Sequence, residues 1–416
     1  MTHIVVVGAG QAGAALAAKL RALGFGGRLT LIGEEPLAPY QRPPLSKKYM
    51  LGEMALERMF LRPRSFYAEQ EIDLVTGQRV AAIDPAARTL RLEGGEGLRW
   101  DRLALTTGSA PIRLPAAIGG ELGGVYTMRS LADADAMAAE FRPGRRVLIV
   151  GGGYIGLEAA AVAVSKGLQV VLVERAGRIL QRVAAPETSD FFRELHRAHG
   201  VDLREGVGLA GLTGRDGRVT GARLSDGSAL EIDFAVVGVG IRPATALAER
   251  AGLEIDNGIK VDRLGRTSAP DIFAAGDCTS FPWQGRRIRL ESVPNAIDQA
   301  EAAAAAMLGG TEPYIARPWF WSDQYDVKLQ IAGLNTGYDS VVARRAGGAT
   351  SFWYFRGDRL LAVDAMNDPR AYMAGKRMID TGRSPDMTAL ADPSTDLKTL
   401  AQGARSNAAQ AADTAA

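Results

Sequence analysis

The sequence predicts an α/β chain with two Rossmann-like domains, each built on an open parallel sheet, and a C-terminal α+β domain. Three observations carry this. Apolar strand-like runs alternate with Ala- and Leu-rich helical stretches through most of the chain, the order that builds parallel sheets. Two glycine-rich loops, GAGQAG and GGGYIG, each lie directly between such a strand and such a helix. From about Trp319 the pattern changes to β-type runs joined by Gly and Asp turns, followed by a short helix near residues 368–381.

The first βαβ unit comprises a strand at 4–7, a helix from about 11 to 23 and a strand at 28–32. GAGQAG supplies Gly8, Gly10 and Gly13. In a GxGxxG loop the first glycine makes the tight turn and the second lets backbone N–H groups reach a pyrophosphate. The third packs the helix against the strand, at the helix's positive end. Glu34 closes the next strand, where a carboxylate binds the ribose hydroxyls of an adenosine. PLAPYQRPPLSK follows, and Pro43 and Pro44 are expected to keep it out of regular secondary structure. Alternation near 72–75 and a strand near 101–106, ending in TTGSAP, lead to a second βαβ unit over 145–174. Its loop supplies Gly151, Gly153 and Gly156, and its second strand ends at Glu174. One such loop is weak evidence. Two, each in the right context, predict two bound dinucleotides and electron movement between them.

Further along, turn-linked runs between 203 and 232 read as hairpin strands, and a strand at 234–239 ends in GVGIRP. DIFAAGD (271–277) is a buried apolar strand that delivers Asp277 to a sheet's carboxyl edge, with a helix cap as its plainer reading. Pro294 starts an Ala-rich helix over 295–308, and 401–416 is expected to be a disordered tail.

Composition narrows the function classes. With 416 residues the chain has room for about three domains. Its 49 basic and 47 acidic residues leave a net charge of +2, which argues against a general nucleic-acid binder. The single cysteine, Cys278, cannot form an intrachain disulfide, and its position suggests an inert core thiol in a reducing compartment. No apolar run reaches membrane-span length, and the first strand begins so close to Met1 that no signal peptide is expected. These features predict a soluble, cytoplasmic protein. His3, His196 and His199 have no supporting cysteine or further histidine, so solvated histidines and no metal site are expected.

GAGQAG, PYQRPPLSK, TTGS, GGGYIGLE, DIFAAGDC, ESVPNAIDQA and WFWSDQYD occur in that order. With them the chain resembles the flavoprotein pyridine-nucleotide reductases of the glutathione-reductase fold. Within these it is similar to the ferredoxin reductases that serve haem monooxygenases and ring dioxygenases. The resemblance implies that the first loop binds FAD and the second NADH. It implies an FAD domain over 1–112 and 241–317, an NADH domain over 113–240 and a C-terminal domain over 318–400. The implied FAD contacts are Gly8, Gly10, Gly13, Glu34, Arg42, Lys47, Thr107, Asp277, Val293 and Trp321, with Gln324 beside the last. The implied NAD contacts are Gly151, Gly153, Tyr154, Ile155, Gly156, Glu158 and Glu174. Lys47 and Glu158 are the implied ion pair that positions nicotinamide, and Tyr154 the ring that covers the flavin until nicotinamide displaces it. The positive end of the helix after Pro294 would face the flavin's pyrimidine edge.

By the same resemblance, disulfide reductases of this fold need a cysteine pair and NADH peroxidases one cysteine near the position of Arg42; this chain has neither, which excludes disulfide and peroxide substrates. A one-electron protein acceptor is left, and the resemblance names an acidic two-iron two-sulfur ferredoxin. A monomer or weak dimer is expected, with no nucleic-acid or membrane partner. Arg286, Arg287 and Arg289, Arg317, Arg344 and Arg345, and Lys376 and Arg377 are candidate docking charges. Two alternatives stay open: a reductase for rubredoxin or another small carrier, and a redox-sensing protein of the apoptosis-inducing-factor type.

Overall fold

In the computed structural model, which describes residues 1–407, the chain packs as two units. One combines 1–41, 56–110 and 242–318, and the other combines 42–55, 111–241 and 319–407.

Five short apolar runs of the first unit form a parallel sheet in the order Ile272–Ala274, Arg102–Leu105, His3–Val7, Arg28–Ile32, Ile72–Val75. Four of the five residues of His3–Val7 are buried, as in a strand covered on both faces. The chain leaves this strand toward Arg28–Ile32 on one side and returns to Arg102–Leu105 on the other. That reversal opens a crevice at the carboxyl ends, where the GAGQAG loop lies. Helix Gln11–Ala22 packs against helix Val293–Met307, where Leu16, Ala17 and Leu20 share a cluster with Ala300, Ala303 and Ala304. The small alanines let the two helices approach closely. Complete burial of Leu16 and Leu20 contributes about 2 kcal/mol each.

The second unit repeats the plan. Its parallel sheet runs Asp202–Glu205, Gln169–Glu174, Arg146–Val150, Phe234–Val237, Val125–Thr127. Helix Tyr154–Ser165 follows the GGGYIG loop with eight of its twelve residues buried, which is why its sequence is apolar all round. The same unit contains an antiparallel sheet in the order Trp319–Gln324, Val327–Gly333, Arg359–Met366, Ala349–Arg356, Ser340–Ala346. Helix Pro369–Asp380, capped by the Asp368 side chain on the Ala371 N–H, lies on this sheet.

Two expectations need correction. Pro43 and Pro44 do not prevent regular structure: they open a 3-10 turn, Pro43–Ser46, and helix Lys48–Leu51 follows. Proline is tolerated there because the first N–H groups of a helix have no intrahelical partner. The stretch expected to be disordered from residue 401 is ordered in its first part. Helix Leu397–Gly403 and the strand Arg405–Ser406, paired with Arg383–Ser384, occupy it, while 408–416 lie outside the described residues. Among the described residues no helix is long and apolar enough to cross a membrane.

Two candidate dinucleotide sites and a buried ion pair

The glycines of the first loop differ in what surrounds them. Gly8 has φ +113°, and a Cβ on it would lie 2.3 Å from the Thr106 carbonyl oxygen. A Cβ on Gly13 would lie 1.9 Å from the Gly8 carbonyl oxygen, so helix and loop are in direct contact. A Cβ on Gly10 would meet no atom within 4 Å. Gly10 is the N-cap of helix Gln11–Ala22 and no side chain caps it, so the first-turn N–H groups face an open cradle. The second loop repeats each feature. A Cβ on Gly151 would be 2.4 Å from the Gly238 carbonyl oxygen and one on Gly156 2.0 Å from that of Gly151, whereas Gly153 is open. Two cradles that a methyl group would fill suit two pyrophosphates.

Around the first loop, Glu34 is exposed beyond the end of its strand, 3.9 Å from Arg79. Thr107 donates its hydroxyl to the Ala244 carbonyl at 2.7 Å. Asp277 follows Gly276, whose φ of +87° turns the chain out of the sheet, and its carboxylate accepts a hydrogen bond from Ser109 at 3.0 Å. Gln299 accepts from the Gly276 N–H at 2.8 Å and thereby ties this turn to helix Val293–Met307. Val293 is the first residue of that helix, and the Ser292 hydroxyl caps it by accepting from the Asn295 N–H. Cys278 is fully buried, its thiol donates to the Leu105 and Ala275 carbonyls, and burial pushes its pKa up.

Around the second loop, the Glu174 carboxylate accepts from the Gly152 N–H at 2.7 Å and from the Ala176 N–H at 2.8 Å. These bonds fix an anion beside the loop at the sheet's carboxyl edge. Ile155 is exposed. The Tyr154 ring packs 4.9 Å from that of Phe320, its hydroxyl is buried with no hydrogen-bond partner, and burial with the nearby Asp364 charge raises its pKa.

Two residues past Gly156, Glu158 lies buried in the helix and makes three polar contacts. Lys47 is 3.0 Å from one oxygen, Ser46 donates its hydroxyl to the other at 2.7 Å, and Ser322 donates to the first at 2.6 Å. Burial raises the Glu158 pKa, and Lys47 with the two hydroxyls opposes that shift. The 3-10 turn Pro43–Ser46 carries Ser46 and Lys47 to this carboxylate. The Lys47 ammonium also lies 5.8 Å from the Trp321 ring centre, and Trp321 packs against Trp319. Arg42 donates to the Arg129 carbonyl at 2.7 Å.

The sequence reading missed Ser46 and Ser322, each of which sits inside a motif that it had singled out. It misplaced His196, which is fully buried rather than solvated. His196 lies 2.8 Å from Gln324 Oε1 and 3.2 Å from the Tyr325 hydroxyl, so Gln324 is a buried connector. Arg344 is also buried, and its guanidinium donates to the carbonyls of Leu390, Asp392, Pro393 and Thr395. It braces the fold and is no docking charge. Arg287 likewise bonds the Val261 and Ser280 carbonyls.

Two parallel sheets, each with an open phosphate cradle, define an oxidoreductase that handles two dinucleotides. Comparison with known proteins makes this specific. A model of the pyridine nucleotide-disulphide oxidoreductases matches residues 2–300, and one of the reductase C-terminal domain matches 319–401. The ferredoxin reductase subunit of a 5,5'-dehydrodivanillate O-demethylase from Sphingobium sp. is 44% identical over 407 residues, covering 96% of this chain and 98% of that protein. Putidaredoxin reductase of Pseudomonas putida is 39% identical over 417 residues, covering 98% and 99%. The crystal structure of the covalent putidaredoxin reductase–putidaredoxin complex superposes with a TM-score of 0.94 at 39% identity, covering 97% of this chain and 99% of that one. The chain belongs to the pyridine nucleotide-disulphide oxidoreductase family and has that family's reductase C-terminal domain.

Proposed function

We propose that this protein is an FAD-dependent NADH:ferredoxin reductase that supplies single electrons to a haem monooxygenase or ring dioxygenase through a two-iron two-sulfur ferredoxin. The observation that carries this is the pair of open glycine cradles in a chain with one buried cysteine. Two dinucleotides are accommodated, yet there is no cysteine pair to receive the electrons. FAD, when bound, accepts two electrons together and releases them singly.

The chain's own residues supply binding and orientation. Gly10 leaves room for the FAD pyrophosphate, Glu34 takes the ribose, and Asp277, Thr107 and Val293 line the sheet edge that holds the rest. Gly153 leaves room for the NADH pyrophosphate, and Glu174 presents a fixed anion to the ribose of the second nucleotide. Lys47 and Glu158, held one to the other in a buried site, form a rigid polar wall that orients nicotinamide, since hydride transfer depends on alignment more than on acid–base chemistry. Tyr154 breaks no hydrogen bond of its hydroxyl when its ring moves, which suits a side chain that gives way to nicotinamide. A reducing cytoplasm suits the free thiol.

The test is NADH oxidation by the FAD-loaded protein with a panel of carriers. A two-iron two-sulfur ferredoxin should be reduced fastest. Preference for rubredoxin, or NADH oxidation that no carrier accelerates, would overturn the assignment.

A further inference from the structure

Four hydrogen bonds join the surface of helix Pro186–Ala198 to the Glu158 carboxylate, and all can run in one direction. The Tyr325 hydroxyl is 3.2 Å from His196 Nδ1, and His196 Nε2 is 2.8 Å from Gln324 Oε1. Gln324 Nε2 donates to Ser322 Oγ at 3.2 Å, and Ser322 donates its hydroxyl to Glu158 Oε1 at 2.6 Å. A carboxylate only accepts, so the Ser322 proton must point at Glu158. Ser322 must then accept from Gln324, which places the amide nitrogen toward Ser322 and the oxygen toward His196. His196 must in turn carry its proton on Nε2, which leaves Nδ1 to accept from Tyr325. Each assignment forces the next.

The outer end is also built. Tyr325 has φ +54°, an unusual backbone for an aromatic residue, and its ring is stacked on His199 at 3.7 Å between centroids. Ser322, Gln324 and His196 are each less than 2% exposed. A buried polar group without a partner is costly, so a buried histidine, amide and hydroxyl aligned in one chain call for a role.

We propose that His196, Gln324 and Ser322 are positioning residues, a one-way relay of donors that fixes the Glu158 carboxylate and, through it, the Lys47 ammonium for nicotinamide. This rests on the reading of the Lys47–Glu158 pair given above. The relay acts on the anion: the donor from Ser322 favours ionised Glu158 against its burial, with Lys47 the charged group facing it and Ser46 the other donor. His196 faces Gln324, Tyr325 and His199, and burial holds its pKa down at about 4, so the relay keeps one polarity across the neutral range.

Two measurements test the proposal, and neither needs a ferredoxin, so failure of the ferredoxin assignment would show separately in the carrier panel. The first is nitrogen NMR of the imidazoles in the FAD-loaded protein, in which only three histidines contribute. The His196 signal, assigned by its loss in His196→Gln, should show a neutral ring protonated on Nε2 down to about pH 5. The second is stopped-flow reduction of the flavin by NADH. His196→Phe and Gln324→Leu should slow it about tenfold, by misplacing the ion pair. They should also move the acid limb of its pH profile up by about one unit, while reduction by dithionite stays unchanged. His196→Gln, which keeps a donor toward Gln324, should recover most of the rate. A ring protonated on Nδ1 would overturn the relay. So would Phe and Leu variants with wild-type rates and profiles, or a Gln variant as slow as the Phe variant. Should His196→Phe fail to fold, the wild-type tautomer and Gln324→Leu decide.

Discussion

One added methyl group distinguishes the loop glycines, because the same Cβ meets backbone at Gly13 and nothing within 4 Å at Gly10. Gly13→Ala is expected to destabilise the FAD-free protein by several kcal/mol, since the Gly8 carbonyl cannot move without opening the sheet edge. Gly10→Ala should leave FAD-free stability unchanged while weakening FAD binding about tenfold or more, because its methyl occupies the phosphate approach. Thermal melts beside FAD titrations separate the two, and equal stability losses would refute the distinction. Glu174 supports a second expectation. It holds the Gly152 and Ala176 N–H groups, and on the proposed reading its negative charge would repel a 2′-phosphate. NADH should therefore be preferred over NADPH, and Glu174→Ala should narrow the gap mainly by raising KM for NADH. Equal kcat/KM values for the two nucleotides in the wild type would remove the basis for this. Arg175, next in sequence, is the residue that would soften the repulsion.

At the scale of elements, the junction of helix Pro186–Ala198 with the C-terminal sheet carries a pH-sensitive carboxyl group. Thr188 and Tyr354 both donate to the buried Asp364 carboxylate, and the Tyr354 oxygen accepts from the Ala185 N–H. Burial pushes the Asp364 pKa up from 3.8 to about 6, with the two hydroxyls pulling the other way. The folded state therefore holds this proton more tightly than the unfolded chain. The stabilisation is full below about pH 4 and is lost as pH rises through about 6, a change of about 3 kcal/mol. Urea unfolding of wild type and Asp364→Asn should show the wild type losing about 2 kcal/mol of this relative to the variant between about pH 4.5 and 7.5. A pH-independent difference would contradict it. This junction also shows where sequence reading ends. The loops were legible because GxGxxG occurs twice, each time between an apolar strand and a helix. The burial of helix Pro186–Ala198 was not, because its buried stripe, Thr188, Ser189, Phe192 and His196, is mostly polar and looks like a solvated face. Its partners, Asp364, Tyr354 and Gln324, lie more than a hundred residues away in sequence. The ion pair was found only through the family resemblance, since nothing local to PPLSK or GLEA announces that Lys47 meets Glu158. Arg344 and Arg345 were indistinguishable as a basic pair, although strand alternation had to send them to opposite faces.

For the whole molecule, the issue is how two electrons that arrive as one hydride leave one at a time. One NADH should reduce two ferredoxins, and the ferredoxin must find its docking face twice per turnover. The chain's net charge of +2 is too small to steer an acidic partner by itself, so any steering comes from local charge. Arg344 is excluded, since its reversal would leave four carbonyls without a donor and a buried charge uncompensated, an unfolding lesion rather than a docking one. The exposed Arg286, Arg317, Arg345 and Arg377 are left. If they steer ferredoxin, turnover with ferredoxin should fall as salt shortens the Debye length to about 10 Å at 0.1 M, because encounter slows. Reduction of the flavin by NADH, held by close contacts in a formed site, should change far less. Charge reversal at Arg317, Arg345 or Arg377 should lower kcat/KM for ferredoxin several-fold at low salt and converge with wild type at high salt. Convergence is the critical outcome. A variant equally impaired at every salt concentration has lost structure rather than attraction. If ferredoxin turnover and flavin reduction respond to salt alike, electrostatic steering is not how this protein meets its acceptor.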